Sequence, residues 1–270
     1  MGMDTMRIGI VGCAGRMGRM LIKTVTATEG CALAGGSDAP GSDAQGQDLG
    51  TLAGLPALGL SVGDDPLEVF AAAHAVIDFT TPKASARHAE MAAQGQVVYV
   101  VGTTGLNAEQ QGAIERAALH TPVVQAANMS LGVNVLLALV ERAAAMLDDD
   151  YDIEVLEMHH RWKVDAPSGT ALALGQAAAA GRGVELDKVA QRGRDGMTGA
   201  RRRGDIGFAA LRGGDVTGDH SVILAAEGER IEITHKAATR DIYARGAVKA
   251  AMWARGRPSG LYSMKDVLGL

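Results

Sequence analysis

Two histidines, an arginine and a lysine fall within five residues of one stretch, Glu157-Met158-His159-His160-Arg161-Trp162-Lys163-Val164-Asp165-Ala166-Pro167-Ser168-Gly169-Thr170-Ala171, which then runs into Pro-Ser-Gly-Thr. An imidazole titrates near neutrality and can give or take a proton at working pH. Ammonium and guanidinium groups attract carboxylates, and the first turn of a helix presents backbone N–H groups to an anion. Tyr151 to Met158 reads as a strand, with Ile153, Val155 and Leu156 set among acids, and Ser168 onward reads as a helix. The cationic and titratable side chains therefore lie on a loop between a strand end and a helix start, where rigid scaffolds place chemistry.

Several chemistries compete for this stretch. Adjacent histidines invite a metal, but zinc wants three or four converging ligands, and neither a Cys pair nor H-E-x-x-H spacing accompanies them, so no metal site is expected. Ser168 as a nucleophile lacks the elbow that activates one. The plainest alternative is ion pairing of His159 and Arg161 with Glu154 or Glu157, and for Arg161 that reading is preferred. The reading that uses every residue is an anionic substrate held for hydride transfer. Gly169 and Thr170 would hold a carboxylate, Lys163 and Arg240 would supply positive charge, His160 a further donor, and His159 the proton that accompanies the hydride.

A hydride donor needs a cradle, and the N-terminal part of the chain reads as one. Arg7 to Gly12 is a buried strand, followed by Cys13-Ala14-Gly15-Arg16-Met17-Gly18 and an amphipathic helix through Thr28. Strand, glycine turn and helix are the context of a dinucleotide fingerprint, here spaced G-x-x-G-x-x-G. Gly12 would make the turn, Gly15 admit the pyrophosphate, and Gly18 let the helix pack on the strand. Cys31 to Ser37 is a second strand, with Asp38 at its end, twenty positions past Gly18, where an acid bonds the ribose hydroxyls of an NAD-type cofactor. Asp43 is the competing acid. Ala39 follows Asp38 with no nearby Arg or Lys to hold a 2′-phosphate, which favours NADH over NADPH.

Residues 39–65 read as an irregular connection with a weak strand. Further strands follow at 75–79, 97–101 and 122–127, each ending in small or hydroxylated residues: Thr80-Thr81, Gly102-Thr103-Thr104-Gly105, and Ala127-Asn128-Met129-Ser130. With helices at 82–94, 107–119 and 130–147 the pattern alternates βα, which implies a parallel sheet with ligands at the strand ends. Beyond 151 the pattern changes. A helix over about 167–180 leads to a polar Gly/Arg-rich segment, 181–204, either mobile or an arm toward a neighbouring subunit. Three strands at 206–212, 220–226 and 230–235 suggest an antiparallel or mixed sheet and a second domain, the expected oligomerisation element. A helix at 240–254 and a strap at 257–270 return to the first domain.

Composition narrows the classes. The chain has 270 residues, 47% of them hydrophobic, 36 glycines and a net charge of -5, with mean hydropathy near zero. A negative balance argues against a nucleic-acid partner, and the basic run Arg201-Arg202-Arg203 is read as a solvated loop. Two cysteines cannot build a disulfide framework, which fits a reducing cytoplasm. The first six residues have neither the basic nor the apolar region of an export signal, and no apolar run approaches the ~20 residues that span a membrane.

At this point the chain resembles the 4-hydroxy-tetrahydrodipicolinate reductase (dihydrodipicolinate reductase) family of the bacterial diaminopimelate/lysine pathway. The likeness covers essentially the whole chain. It rests on Val11 to Gly18, Asp78-Phe-Thr-Thr-Pro82, Gly102-Thr-Thr-Gly105, Ala126-Ala-Asn-Met-Ser130, Glu157 through Ala171, Ile233-Thr-His-Lys236 and Ser259 to Leu268. The resemblance implies an α/β fold: a Rossmann-type dinucleotide domain, residues 1–129 with 241–270, plus a central α+β substrate-binding and tetramerisation domain, residues 130–240. It implies that His159 and Lys163 are the catalytic proton donors, and that His160, Gly169 and Thr170 bind the carboxylates of a small cyclic dicarboxylate. Gly12, Cys13, Ala14, Gly15, Arg16, Met17, Asp38, Gly102, Thr103, Thr104, Ala126, Ala127, Asn128 and Met129 are implied to line NADH or NADPH. A homotetramer is implied as well.

Two departures bear on the cofactor: many members carry an arginine where this chain has Ala39 and another where it has Thr81, which leaves NADH favoured. Trp162 stands where a third histidine is common. A dinucleotide sensor would not need His159 and Lys163 beside a Gly-Thr anion site. An amino-acid dehydrogenase of similar architecture, acting for example on aspartate, would not carry the paired histidines with Ala-Pro-Ser-Gly-Thr.

Overall fold

The computed structural model of the chain describes residues 5–270, so most of the N-terminal tail, read above as carrying no export signal, lies outside the described residues. The chain divides into two compact units, one comprising residues up to Ser130 together with Asp241–Leu270, the other Leu131–Arg240.

In the first unit the apolar runs become buried strands. β1 (Met6–Val11) buries every side chain but Arg7, as expected for a strand covered on both faces. α1 (Arg16–Ala27) turns Leu21, Ile22 and Val25 inward. β2 (Cys31–Ser37) follows, then a short α2 (Leu49–Leu52), a two-residue β3 (Val62–Gly63) and α3 (Pro66–Ala72). Asp48 caps α2 and also accepts from the Leu58 and Gly59 N–H groups, tying the irregular connection into a compact loop. Asp65 caps α3 and Pro66 occupies its first turn, a start signal that Asp-Pro announces in the sequence. β4 (Ala75–Asp78), α4 (Pro82–Gly95), β5 (Val98–Val101), α5 (Ala108–Ala118) and β6 (Pro122–Gln125) continue the alternation. Thr81 caps α4, and Asn107 with Gln110 forms a capping box on α5.

The second unit opens with α6 (Leu131–Met146) and β7 (Asp152–His159), then α7 (Gly169–Gly181), a short α8 (Leu186–Val189), β8 (Ala190–Gln191), β9 (Ile206–Arg212), β10 (Gly218–Ala226) and β11 (Glu229–Ala237). Its sheet runs β11-β10-β7-β9-β8 and is mixed: β7 pairs antiparallel with β10 and parallel with β9. Leu136, Val140, Leu174, Ala178 and the inward residues of β7, β9 and β10 form its core. β7 alternates strictly, so Glu157 and His159 share the buried face with Ile153 and Val155.

The Gly/Arg-rich segment corrects one expectation. Arg201 is not part of a solvated loop: its guanidinium bonds the Glu154 and Asp152 carboxylates and the Ile153 carbonyl, with Asp205's carbonyl as a further acceptor. Arg194 reaches Glu154 as well, so the segment is pinned along β7. Arg202 and Arg203 do remain exposed. A planar guanidinium with several fixed donors satisfies this many acceptors where a lysine could not.

The chain then returns to the first unit with α9 (Asp241–Ala254), β12 (Gly260–Tyr262) and α10 (Met264–Leu268). β12 adds to β6, completing a parallel sheet of order β12-β6-β5-β4-β1-β2-β3. Gly246 lets α9 approach the loop before α6, because a Cβ there would lie 1.7 Å from the Met129 carbonyl oxygen. No helix among the described residues is long and apolar enough to cross a membrane.

Candidate active site

In the first unit the register sets the strand ends on one edge. Val11 pairs with Ser37 on one side and Asp78 on the other, Asp78 with Val101, and Val101 with Gln125. Gly12, Asp38, Phe79, Gly102 and Ala126 therefore follow directly at the same edge. The strand order reverses between β1 and β4, the place where open α/β sheets bind dinucleotides.

The glycine turn is built for close approach. Gly12 sits at φ +69, and a Cβ on Gly18 would stand 2.3 Å from the Gly12 carbonyl oxygen and 2.5 Å from Cys13 Cα. Only glycine lets α1 start this tightly against β1. α1 begins at Gly15 with no capping side chain and no acid in its first turn, unlike the side-chain-capped α4, α5 and α7. Its N-terminal N–H groups and positive dipole end suit an anion such as a pyrophosphate. Asp38 accepts from the Ala14 N–H at 2.9 Å and the Ala39 N–H at 2.7 Å, which holds its carboxylate beside the turn.

A cavity of about 690 Å³ opens here, lined among others by Gly12, Gly15, Asp38, Ala39, Thr80 and Thr81. That space and these donors fit a dinucleotide. Of the expected cofactor residues, Gly12, Gly15 and Asp38 line this cavity. Cys13 is fully buried, its N–H donates to the Ser37 carbonyl, and its thiol is pushed up to about 12, chiefly by that burial. Met129 is likewise buried, while Thr104 and Ala127 are exposed and Asn128 accepts from the Ser130 N–H at the start of α6. Arg16 and Met17 are the first residues of α1, and Gly102, Thr103 and Ala126 follow β5 and β6 at the same strand edge.

Two features were not foreseen. Arg87, from α4, lines the cavity with Asp38, Asp64 and Asp65, which corrects the expectation that no cation stands near the ribose acid. Proximity in the fold supplied what the neighbouring sequence lacked. Beneath the strand ends, Asp78 is wholly buried, with His88 Nδ1 at 2.8 Å, Tyr99 OH at 2.5 Å and Thr80 OH at 2.6 Å. Burial by itself would raise this carboxyl, but the His88 bond and charge, then Thr80 and Tyr99, more than offset it and hold it below the usual range. Ser85 bonds Thr103 at 2.7 Å within the same network, so the Gly102–Thr104 turn rests on fixed hydroxyls.

In the second unit the residues from Glu157 to Ala171 span the end of β7, a loop and the start of α7. Glu157 is the hub. Its Oε2 lies 2.6 Å from His159 Nδ1, its Oε1 accepts from the Ser168 N–H at 3.1 Å, and Arg212 donates to both oxygens at 2.8 Å. One carboxylate thus joins the end of β7, the start of α7 and the end of β9. Arg212 also bonds the Asp165 carbonyl, anchoring the loop between them. Burial opposes ionisation of Glu157, yet the Arg212 and His159 bonds prevail and keep it below the ordinary carboxylate range.

Ser168 caps α7 through the Ala171 N–H and lies 3.1 Å from His220 Nε2. His220 packs edge-on to His159 with ring centroids 5.1 Å apart, and burial, reinforced by the His159 charge, pushes it down to about 4. The Nδ1 atoms of His160, His220 and His235 are buried without a protein partner. Space is open above Gly169, where an added Cβ would meet nothing within 4 Å, and Thr170 follows it in the first turn of α7. Lys163 pairs with Asp165 at 2.9 Å and is only 20% exposed.

Arg161 does not take the carboxylate partner expected of it. Glu154 is occupied by Arg194 and Arg201, and Glu157 by Arg212 and His159, while the Arg161 guanidinium lies 5.7 Å from the Trp162 ring. Trp162 and Val164 stand exposed at the loop tip. No group of three or more His, Cys, Asp or Glu side chains among the described residues is arranged to hold a metal. Sequence reasoning missed Glu157 and Arg212 as functional groups. Period-two alternation puts Glu157 on the face of His159, a readable signal, but Arg212 is 55 residues distant and gives none.

Comparison with known proteins points one way. A family model described as the N-terminus of dihydrodipicolinate reductase matches residues 6–129, and one for its C-terminus matches residues 132–268. The chain is 57% identical over 267 residues to the 4-hydroxy-tetrahydrodipicolinate reductase of Dinoroseobacter shibae, covering 99% of each chain. It is 58% identical over 263 residues to that of Ruegeria pomeroyi, covering 97% of this chain and 98% of the other. Among solved structures, the dipicolinate-bound dihydrodipicolinate reductase from Paenisporosarcina sp. TG-14 superposes with a TM-score of 0.76 at 24% identity, covering 96% of this chain and 97% of that one. An amine dehydrogenase from Mycobacterium smegmatis matches at 0.61 and 14% identity, covering 96% and 95%; both structural matches speak to fold.

Proposed function

Because the chain belongs to the dihydrodipicolinate reductase family, we propose that His159 and Lys163 deliver the proton in its reaction and that His160, Gly169 and Thr170 hold the substrate's carboxylates. The reaction is the NAD(P)H-dependent reduction of 4-hydroxy-tetrahydrodipicolinate to tetrahydrodipicolinate, in diaminopimelate and lysine biosynthesis. The nicotinamide, when bound, supplies the hydride; the protein binds, orients and moves the proton.

The observation that carries this reading is the convergence on Glu157 of His159, the N-terminal turn of α7 and Arg212. It sets a titratable imidazole beside a helix start suited to an anion. A cyclic dicarboxylate meets the α7 N–H groups and the His160 imidazole. Lys163 exchanges its Asp165 partner for the incoming substrate and, as an ammonium, serves as the second proton donor. Gly12 to Met17 cradle the pyrophosphate, Asp38 the ribose, and Gly102 to Thr104 with Ala126 to Met129 the nicotinamide end.

NADH is the preferred donor in this reading. Asp38, Asp64 and Asp65 surround the ribose end beside Ala39 and Thr81, and a dianionic 2′-phosphate meets more carboxylate than the single Arg87 guanidinium offsets. Ala39→Arg would shift preference toward NADPH. The active form is a cytoplasmic homotetramer, built through the second unit.

Steady-state kinetics of His159→Gln and Lys163→Ala test the assignment of roles. Each change lowers kcat by about 10²–10⁴ if the side chain handles the proton. A rate equal to that of the unchanged enzyme would return that residue to ordinary surface or core chemistry.

A further inference from the structure

We infer that Glu157, clamped by Arg212, is a positioning residue that fixes the protonation pattern of His159, with Nδ1 holding a proton permanently and Nε2 left as the exchanging nitrogen. The inference rests on the reading of His159 as the proton donor and goes one layer further out.

Glu157 is 1% exposed at its side chain and takes two N–H bonds from Arg212, one from Ser168 and one contact from His159. Ionised, it can only accept. The 2.6 Å contact therefore requires His159 Nδ1 to donate, whatever the charge of the ring. Proton exchange is confined to Nε2. Space is reserved at that atom: a Cβ on Gly218 would stand 2.9 Å from it. The backbone holds the strand end in place, since the Gly213 N–H donates to the His159 carbonyl at 2.9 Å and the Arg161 N–H to that of Gly214.

The charges around the ring are consistent with a donor that must carry a proton. Glu157 on the same strand favours the imidazolium; Arg212 from β9 opposes it but is itself neutralised by Glu157. From β10, His220 presents a neutral edge, and β11 contributes His235 at the position paired with His220. From the loop, Lys163 is balanced by Asp165. Orienting a catalytic imidazole through a buried carboxylate is a general solution to the tautomer problem. Here the carboxylate has a second duty, because its Oε1 seats the first residue before α7 and so couples the imidazole's position to that of the anion-binding turn.

Glu157→Gln is the discriminating variant. It keeps the shape but offers an amide N–H that turns the His159 ring toward the opposite tautomer. Two quantities are read: kcat and KM across pH, and the imidazole tautomer by ¹⁵N NMR of histidine-labelled protein. The expected result is a fall in kcat of ten-fold or more with KM changed far less. The high-pH limb should move to lower pH, because the imidazolium has lost its counter-charge, and the Nδ1–H signal should weaken in favour of Nε2–H. His159→Gln is measured alongside. If His159→Gln is as fast as the parent, the donor reading itself fails. If His159→Gln is slow while Glu157→Gln keeps the parent's kcat, pH limb and tautomer, the donor stands and the positioning role is overturned. Should Glu157→Gln fail to fold, Arg212→Lys takes its place, retaining charge but not the fork. A several-fold lower kcat with KM changed far less supports the inference, and parental values overturn it.

Discussion

At the scale of single residues, the second unit buries charge around one imidazole and keeps its neighbour neutral. His220 is 4% exposed and pushed down to about 4. In the unfolded chain the same group takes a proton near 6.5, so between those values the unfolded state binds more protons and stability falls as pH falls. The loss amounts to about 2–3 kcal/mol across that window. Chemical denaturation from pH 7 down to 4 should show it, and His220→Gln should flatten the slope while lowering stability at neutral pH; an equally steep slope in the variant would remove His220 as the cause. Asp78 and Glu157, held in the folded state below their ordinary values of 3.8 and 4.5, add their own losses as pH falls through that range and beyond. Asp78→Ala should cost about 3–5 kcal/mol, since it leaves the buried His88 without its carboxylate partner and Tyr99 with the Ser85 carbonyl alone. A melting temperature close to the parent's would show the network to be dispensable. The chemistry-bearing types at 159, 160 and 163 were legible because they fall within five residues of one another. Glu157's hub role was not, since its partners Ser168 and Arg212 meet it only through α7 and β9.

At the scale of elements, local signals carried well where a periodic pattern met a cap. α4 after Thr81-Pro82 and α5 after Asn107 begin where hydroxyl, amide and proline chemistry says they should. β3, two residues long, is the weak strand expected within 39–65, while β12, three residues long in the C-terminal strap, has too little pattern to read; each pairs with an open edge, of β2 and β6. The Gly/Arg-rich segment was misjudged at Arg201 for a similar reason: nothing local distinguishes a guanidinium that finds Glu154 from one that finds water. The α1 start is the most demanding junction. Gly18→Ala places a methyl 2.3 Å from the Gly12 carbonyl oxygen, and the helix must move away from β1. We expect a destabilisation of about 1–3 kcal/mol and a dinucleotide affinity at least ten-fold weaker. Titration of NADH fluorescence against the variant reads this directly, and unchanged affinity would mean that the turn does not seat the pyrophosphate.

At the scale of the whole molecule, the cofactor assignment rests on residues of one unit and the proton assignment on residues of the other, and the first unit is assembled from both ends of the chain. Fold class was readable because βα alternation and consecutive strands differ in period, whereas the preference between the two nicotinamide cofactors depends on Arg87 and two carboxylates brought in from separate elements. The most direct measurement generates the substrate in place with dihydrodipicolinate synthase and follows oxidation of NADH and NADPH in separate reactions. We expect substrate-dependent oxidation with the higher kcat/KM for NADH. Oxidation of neither cofactor would contradict it.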